Sequence, residues 1–366
     1  MLIICNFYVL YIERMNVLFL PKYSTDGASS RYRTYQYLPF FSKSEYTVSP
    51  FFSEGYIRCL GNRWKRKIYF VKSLMHRIYV ILFCLCKYDL IVVEKELVPY
   101  FPPILEYLVL KIRKQYVLDF DDAIYCNYQN HQSNIVRSFL GNKIDKITMW
   151  AAGIVTGSPE LTTYFQKLNR NVIEIPTSID LSRYELPTIN NDSKEFVIGW
   201  IGSRSTSQHL DSIADVLIDF ILTHSNAKLH LIGYYGKAFE NFKNISIIQW
   251  NAMNELTDIL EFTIGIMPLI DRPFEHGKCG FKLIQYMACE KPTISTPFIA
   301  NLKIDNGNGN LFASTDKEWN ECLEWGYNNR ASLEEVGKKN RKTVVEKYSI
   351  QNNYSKYIDF YNSIVK

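Results

Sequence analysis

Apolar and polar positions along this chain follow two alternating periods. Short apolar runs at residues 16–20, 45–52, 88–94, 115–122, 153–158 and 172–176 each predict a buried strand. Between them lie stretches with helical spacing: one from Arg31 onward, then 103–114, then 134–150 with Ile135, Phe139, Ile144 and Ile147 on its apolar side, then one from Pro159. Strand and helix in turn predict a parallel sheet with helices on both faces. The pattern stops at the polar stretch 186–194, LPTINNDSK, which reads as a linker. It then restarts, with strands at 196–202, 228–233, 245–249, 264–269 and 293–296 and helices at 210–223, 255–261 and 281–289. The tail predicts helices at 319–325, 333–348 and 354–365, the last with Tyr357, Ile358, Tyr361 and Ile364 on one face. The expected fold class is therefore α/β: two Rossmann-like, doubly wound domains, 15–186 and 195–348, facing a cleft, with 349–366 as a terminal helix. Residues 1–14 hold an apolar run too short to span a bilayer and are expected to be an upstream extension outside the fold.

Residues 277–292, GKCGFKLIQYMACEKP, carry the densest chemistry. Gly277-x-x-Gly280 opens a helix that Pro292 ends, after one predicted strand and before another. Glycines let an anion approach the backbone, and the first N–H groups of a helix point toward it unpaired. Leu283, Ile284, Met287 and Ala288 form an apolar stripe, while Lys278, Lys282 and Gln285 fall at i, i+4 and i+7 on a polar one. Spacing alone describes a surface helix with solvated lysines equally well. The small-residue loop 22–30 follows the first strand and sits where ligands bind in such sheets.

The strand at 115–122 closes on Asp119, Asp121 and Asp122. Asp-Phe-Asp matches a metal-binding DxD, and it equally describes acids capping the next helix. The tandem two-domain pattern argues against metal. Asp121 and Asp122 then end a strand at the cleft mouth, and Glu94 ends the neighbouring one. All three are candidate catalytic acids, able to give or take a proton. His76, His209, His230 and His276 read as packing or capping residues.

Composition narrows the partners. Apolar residues at 47% and charged ones at 22% describe a globular chain of 366 residues. The net charge of +5 is diffuse and gives no case for nucleic acid. Eight cysteines form no CxxC pair and suggest a reducing cytosol. Basic residues concentrate from Arg58 to Lys72, and an apolar helical stretch runs on past Arg77. The segment Arg58–Arg77 suits an anionic membrane surface, or a buried helix with a solvated basic start.

GKCGFKLIQYMACEKPTIST resembles the donor-binding segment of the retaining glycosyltransferases of family 4, which have the GT-B fold. DGASSRYRTYQYL, DFDDAIY, VIEIPTSID and IGWIGSRST look like the same family, in a subgroup that builds cell-surface polysaccharides and lipid-linked glycans. The resemblance covers nearly all of residues 15–366. It implies transfer of a sugar from a nucleoside-diphosphate sugar to a hydroxyl of a glycan or lipid-linked acceptor. It also implies no metal, no cofactor beyond the donor, and a cytoplasmic site of action that includes the inner face of the plasma membrane. The donor set it implies is Gly27, Gly202, Ser203, Arg204, Glu275, Gly277, Lys278, Gly280, Phe281, Lys282, Leu283 and Gln285.

Two departures matter. Where the family has two glutamates eight residues apart, this chain has Gly277 and Gln285, with Glu275 near enough in sequence to substitute for the first. Where the family has an Arg and then a Lys after the first strand of the second domain, Ser203 follows Gly202 and Gln208 takes the Lys position, leaving Arg204 one place off. Phosphate binding is therefore expected of Lys278 and Lys282. The lost acids keep a second reading open, an inert glycosyltransferase-like binding subunit. A nucleotide-sugar epimerase of related shape is a third. A dinucleotide oxidoreductase would need a GxGxxG that Gly199-x-x-Gly202 does not supply.

Overall fold

The computed structural model describes residues 15–42, 45–59, 61–112, 115–187 and 195–365. The stretch 1–14 and the linker core 188–194 lie outside the described residues. The first domain is a six-stranded sheet of β1 (Val17–Leu20), β2 (Tyr46–Val48), β3 (Leu90–Glu94), β4 (Gln115–Phe120), β5 (Gly153–Thr156) and β6 (Val172–Glu174). Its order is β2-β1-β3-β4-β5-β6, and every pairing is parallel. The second sheet contains β7 (Phe196–Ile201), β8 (Ala227–Ile232), β9 (Ile245–Ile248), β10 (Ile264–Met267), β11 (Thr293–Ser295) and β12 (Leu311–Phe312). Its order is β12-β11-β10-β7-β8-β9, again parallel throughout. β1, β3, β7 and β10 are buried at every residue, as expected for strands covered on both faces.

Strand order reverses at β1/β3 in one sheet and at β7/β10 in the other. Ligand crevices form outside the carboxyl ends of strands at such points. The segments leaving those ends carry Lys22–Ser30, Glu94–Glu96, Asp121–Asp122, Gly202–Thr206 and Leu269–Gly280.

The terminal helix Ile350–Val365 belongs to the first domain's core. Its Tyr357, Ile358, Phe360, Tyr361 and Ile364 join Val17, Phe19, Val92, Val117 and Val155 in one cluster. The chain crosses back where Ile179 N–H donates to the Tyr348 carbonyl and Ile350 N–H donates to that of Ile179.

Two predicted helices are each broken in two. Residues 134–150 form Asn134–Leu140 and Lys143–Trp150, separated at Gly141–Asn142. The break re-aims the first piece: Ile144 and Ile147 are buried, but Ile135 and Phe139 are 71% and 80% exposed. The helix expected over 210–223 is likewise split, its first residues ending the short helix Ser207–Asp211 and the rest forming Ala214–Thr223.

Asp119 has a structural job. Arg33 is buried and binds its Oδ1 through Nε at 2.8 Å and Nη2 at 2.6 Å, while Nη1 donates to the Ile175 carbonyl at 2.7 Å. The Tyr357 hydroxyl donates to Asp119 Oδ2 at 3.3 Å, so one carboxylate ties β4 to the first and last helices. Removing one partner leaves a buried charge uncompensated, a loss of roughly 3–5 kcal/mol. We expect Asp119→Ala to lose about that much in urea denaturation, and wild-type stability in that variant would remove Asp119 from this role.

Candidate functional site

Both carboxyl ends open onto one cleft, and a network of ions crosses it. Lys95, the residue after β3, is buried and has the left-handed backbone angle φ 67°. A non-glycine residue there is uncommon and marks a site that the surroundings hold in place. Its Nζ lies 2.7 Å from Asp121 Oδ1 and 2.9 Å from Asp122 Oδ2. Asp122 Oδ1 in turn faces Lys278 Nζ of the second domain at 3.4 Å. Burial alone would raise the Asp122 carboxyl, but the ammonium groups of Lys95 and Lys278 overcome that and hold it well below the usual carboxylate range. Asp121 is turned inward, accepting from the Ser29 hydroxyl, and its carbonyl accepts from Cys279 Sγ at 2.9 Å. Glu94 sits deeper. It accepts from Ser30 Oγ at 2.6 Å and Lys22 N–H at 3.2 Å, and burial pushes its carboxyl up.

Beside this network is a cavity of about 570 Å³. Asp122, Cys126, Asn127 and Asn130 line it from the first domain; Ser205, Thr206, Gln208, His209, Arg272, Phe274, Glu275 and Lys278 line it from the second. Of the three candidate acids, Asp122 is the one on the cavity wall. Arg272 meets only the amide oxygen of Gln208, at 3.3 Å, and forms no ion pair among the described residues. Lys282 is the first lysine of the Phe281–Ala288 helix, half-buried with Nζ 4.4 Å from the centre of the Trp200 ring. Burial, and then the charge of Lys278, brings it down to about 7. His209 accepts from Ile270 N–H through Nδ1 at 3.3 Å. Burial and the charges of Lys278, Lys282 and Arg272 bring it down to about 4, so it is neutral at physiological pH and carries its proton on Nε2. That nitrogen faces Glu275 Oε1 at 3.7 Å, and Glu275 Oε2 is buried with no hydrogen-bond partner among the described residues.

The glycine positions explain part of the sequence. A Cβ at Gly277 would come within 2.6 Å of the Ala123 Cβ across the cleft, so the two domains meet at this residue. Ser158 Oγ donates to the Gly277 carbonyl at 3.1 Å in the same contact. Gly280 has φ 61° and sits against Asn301 and Ile304, and it starts the helix where a side chain would collide. Phe281 then meets the Tyr32 ring, with centroids 4.1 Å apart, a second contact between domains.

Other expected donor residues lie elsewhere. Leu283 is in the second domain's core, and its N–H is taken by the Gly280 carbonyl. Gln285 is buried, donating to Tyr184 OH at 3.2 Å, and Tyr184 OH donates to Glu255 at 2.5 Å. Lys278 precedes the helix, so the three-residue polar stripe does not form. Arg204 stacks over the Tyr235 ring at 4.1 Å. Ser203 bonds within its own turn, and its neighbours Ser205 and Thr206 reach the cavity instead. Gly202 and Gly27 shape their turns: a Cβ would strike Trp200 and Tyr23 respectively. Lys95, Arg272 and His209 were not expected at the site. Lys95 stands directly after β3, a positional signal the sequence did carry.

No known family model matches this chain, and no curated protein does. Solved structures do. HepE of Anabaena, in complex with UDP and glucose, superposes with a TM-score of 0.70 at 12% identity, covering 95% of this chain and 100% of that one. Sucrose-phosphate synthase from Thermosynechococcus elongatus gives 0.67 at 12%, over 96% and 99% of the two chains. TarM of S. aureus, with UDP bound, gives 0.60 at 14%, over 79% and 59%. At these identities the likeness establishes the fold: this is a GT-B protein, two Rossmann-like domains facing a cleft.

Proposed function

We propose that this protein is a retaining, metal-independent glycosyltransferase, moving a sugar from a nucleoside-diphosphate sugar to a hydroxyl of a glycan or lipid-linked acceptor in surface-polysaccharide synthesis. The observation that carries this reading is the cluster of Arg272, Lys278 and Lys282 on the second domain's side of the cleft. Two of the three have no acidic partner among the described residues. A diphosphate would supply the missing negative charge, and the developing charge on leaving is what such cations stabilise. HepE and TarM, the neighbours described above, hold UDP, and a further HepE structure holds UDP-glucose.

In this reading the bond from the anomeric carbon to the diphosphate oxygen breaks and the acceptor oxygen takes its place. The acceptor's proton passes to Asp122 or to the leaving diphosphate. Asp122 is a poor base while Lys95 and Lys278 both face it. A diphosphate that draws Lys278 away removes the weaker of the two contacts and returns part of that basicity, Lys95 staying in place. In this reading Glu275, on the cavity wall with one carboxylate oxygen unpartnered among the described residues, takes over the contact to a sugar hydroxyl that Gly277 cannot make. The inert-subunit reading has the changed positions 277 and 285 in its favour, and donor turnover separates the two.

The membrane side of the reading rests on the helix Arg63–Tyr79 and its continuation. Trp64, Ile68, Val71, Met75, Tyr79, Leu82 and Phe83 form one exposed stripe, with Trp64 at 76% and Phe83 at 70%. Residues Arg63–Lys87 are long and apolar enough to cross a bilayer by length and composition. The inner face is committed to the domain, however: Arg77, Val80, Ile81 and Leu85 are buried. A helix apolar outside, anchored inside and basic at its start suits the plane of an anionic membrane surface.

Three outcomes test this. Diphosphate next to Lys282 raises its pKa again, so the bound state holds more protons above pH 7. The affinity of a nucleoside-diphosphate sugar, whose own charge is fixed, should be level below about pH 7 and fall by up to about tenfold per unit above it. Calorimetry should show that slope lost in Lys282→Arg, and a level wild-type profile from pH 6 to 9 contradicts the assignment. Asp122→Asn should lower kcat about 10²-fold or more, the usual contribution of a positioned acid–base group, with donor affinity held or improved. Asp121→Asn should cost less turnover, and the reverse ranking would move the role to Asp121. Reversing charge at Arg63, Lys65, Arg66 and Lys67 should release the protein from anionic vesicles in co-sedimentation, at about 1 kcal/mol per cation; a wild type that stays in the supernatant rejects membrane docking.

A further inference from the structure

A second cavity, of about 410 Å³, opens between the domains and shares no lining residue with the first. Thr25 and Asp26 reach it from the loop after β1, Ile57 and Arg58 from the segment after β2, Arg183 from the crossover, and Trp250 from the segment after β9. Arg31 also lines it. No donor-segment residue does. Arg31 is held in place: its Nε donates to the Thr25 carbonyl at 3.1 Å, and its guanidinium lies 5.2 Å from the Trp250 ring and 5.6 Å from that of Tyr32. Arg31, Arg58 and Arg183 form no ion pair among the described residues. The acid on this wall, Asp26, accepts from Gly55 N–H at 3.1 Å. Three guanidiniums against one carboxylate give the cavity a surplus of positive charge, in the residue type that best matches an oxyanion.

We propose that this cavity binds the phosphate group of the acceptor. The proposal rests on the glycosyltransferase reading for the word acceptor, while the anion site stands on its own geometry. Position supports it. The cavity borders the same domain junction as the donor cavity, with Arg31 against Tyr32 and Tyr32 against Phe281. Arg58 lies five residues before the basic start of the exposed apolar helix at Arg63. A phosphate arriving on a lipid would meet Arg58 from that side, and a soluble phosphorylated glycan would enter from the cleft.

Calorimetry on the full chain tests this, using dodecyl phosphate below its micelle concentration, dodecanol, inorganic phosphate and UDP as probes. Arg58 and Arg183 are exposed, so Arg58→Gln and Arg183→Gln should fold normally. Dodecyl phosphate should bind wild type, and each variant should lose about tenfold in affinity, the scale of one charged hydrogen bond. UDP affinity should change less than twofold. Arginine-dependent binding of inorganic phosphate as tight as that of dodecyl phosphate keeps the site and points to a soluble acceptor. Dodecyl phosphate binding much tighter than both inorganic phosphate and dodecanol points to a lipid one. If UDP fails to bind while dodecyl phosphate still depends on the arginines, the function reading falls and the anion site remains. Two results overturn the proposal: phosphate binding that ignores both substitutions, and a loss of UDP affinity equal to the loss for phosphate, which would give the cavity to the donor.

Discussion

Asp122 is shared between two lysines, and the cleft is arranged around that sharing. Lys95 holds it from its own domain and Lys278 from across the cleft, at 2.9 and 3.4 Å. The nearer contact fixes the end of β4, and the longer one joins the two domains through groups that water can reach. Around it, Ser158 bonds the Gly277 carbonyl, Cys279 bonds the Asp121 carbonyl and Tyr32 meets Phe281. Apart from the Tyr32–Phe281 ring pair these contacts are polar, and small polar interfaces let domains move. An anion that competes for Lys278 acts on one ionic link between the domains, while Lys303 with Glu174 at 2.7 Å is another.

Much of the architecture was legible because both domains are parallel sheets. Strands buried on both faces read as continuous apolar runs, and 11 of the 12 described strands occur within predicted runs or overlap them closely. β12 has two residues and no run to detect. The broken helices were missed for a local reason. A Cβ at Gly141 would strike the Arg137 carbonyl, yet one glycine inside an apolar-periodic stretch does not announce a break. The consequence was large, because Ile135 and Phe139 moved from the expected core to the surface.

The site was legible as a segment but not as a set of contacts. The glycine loop, Lys278 and Lys282 were readable from residues 277 to 285. Gln285 was not, because its partner Tyr184 is about a hundred residues away in sequence, across the crossover. The pairing of Asp121 with Ser29 spans a comparable distance in sequence. Alternation along a strand cannot rank Asp121 and Asp122 once the strand has ended at Phe120. Gly277 looked like a loss, and its contact with Ala123 makes it a condition for the domains to approach.

The central claim is that the lysine and arginine cluster at the cleft binds a nucleoside diphosphate. Titrating UDP, GDP, ADP and the thymidine and cytidine diphosphates calorimetrically into wild type and into Lys278→Ala/Lys282→Ala tests it directly, with melting temperature followed in parallel. The account predicts that at least one nucleotide binds wild type and raises its melting temperature, as a ligand of the native state must. In the double variant, which keeps the apolar face of its helix, that nucleotide should bind more than about a hundredfold more weakly, at one charged contact of roughly 1.5–3 kcal/mol per lysine. A nucleotide that binds both proteins equally well would contradict the account.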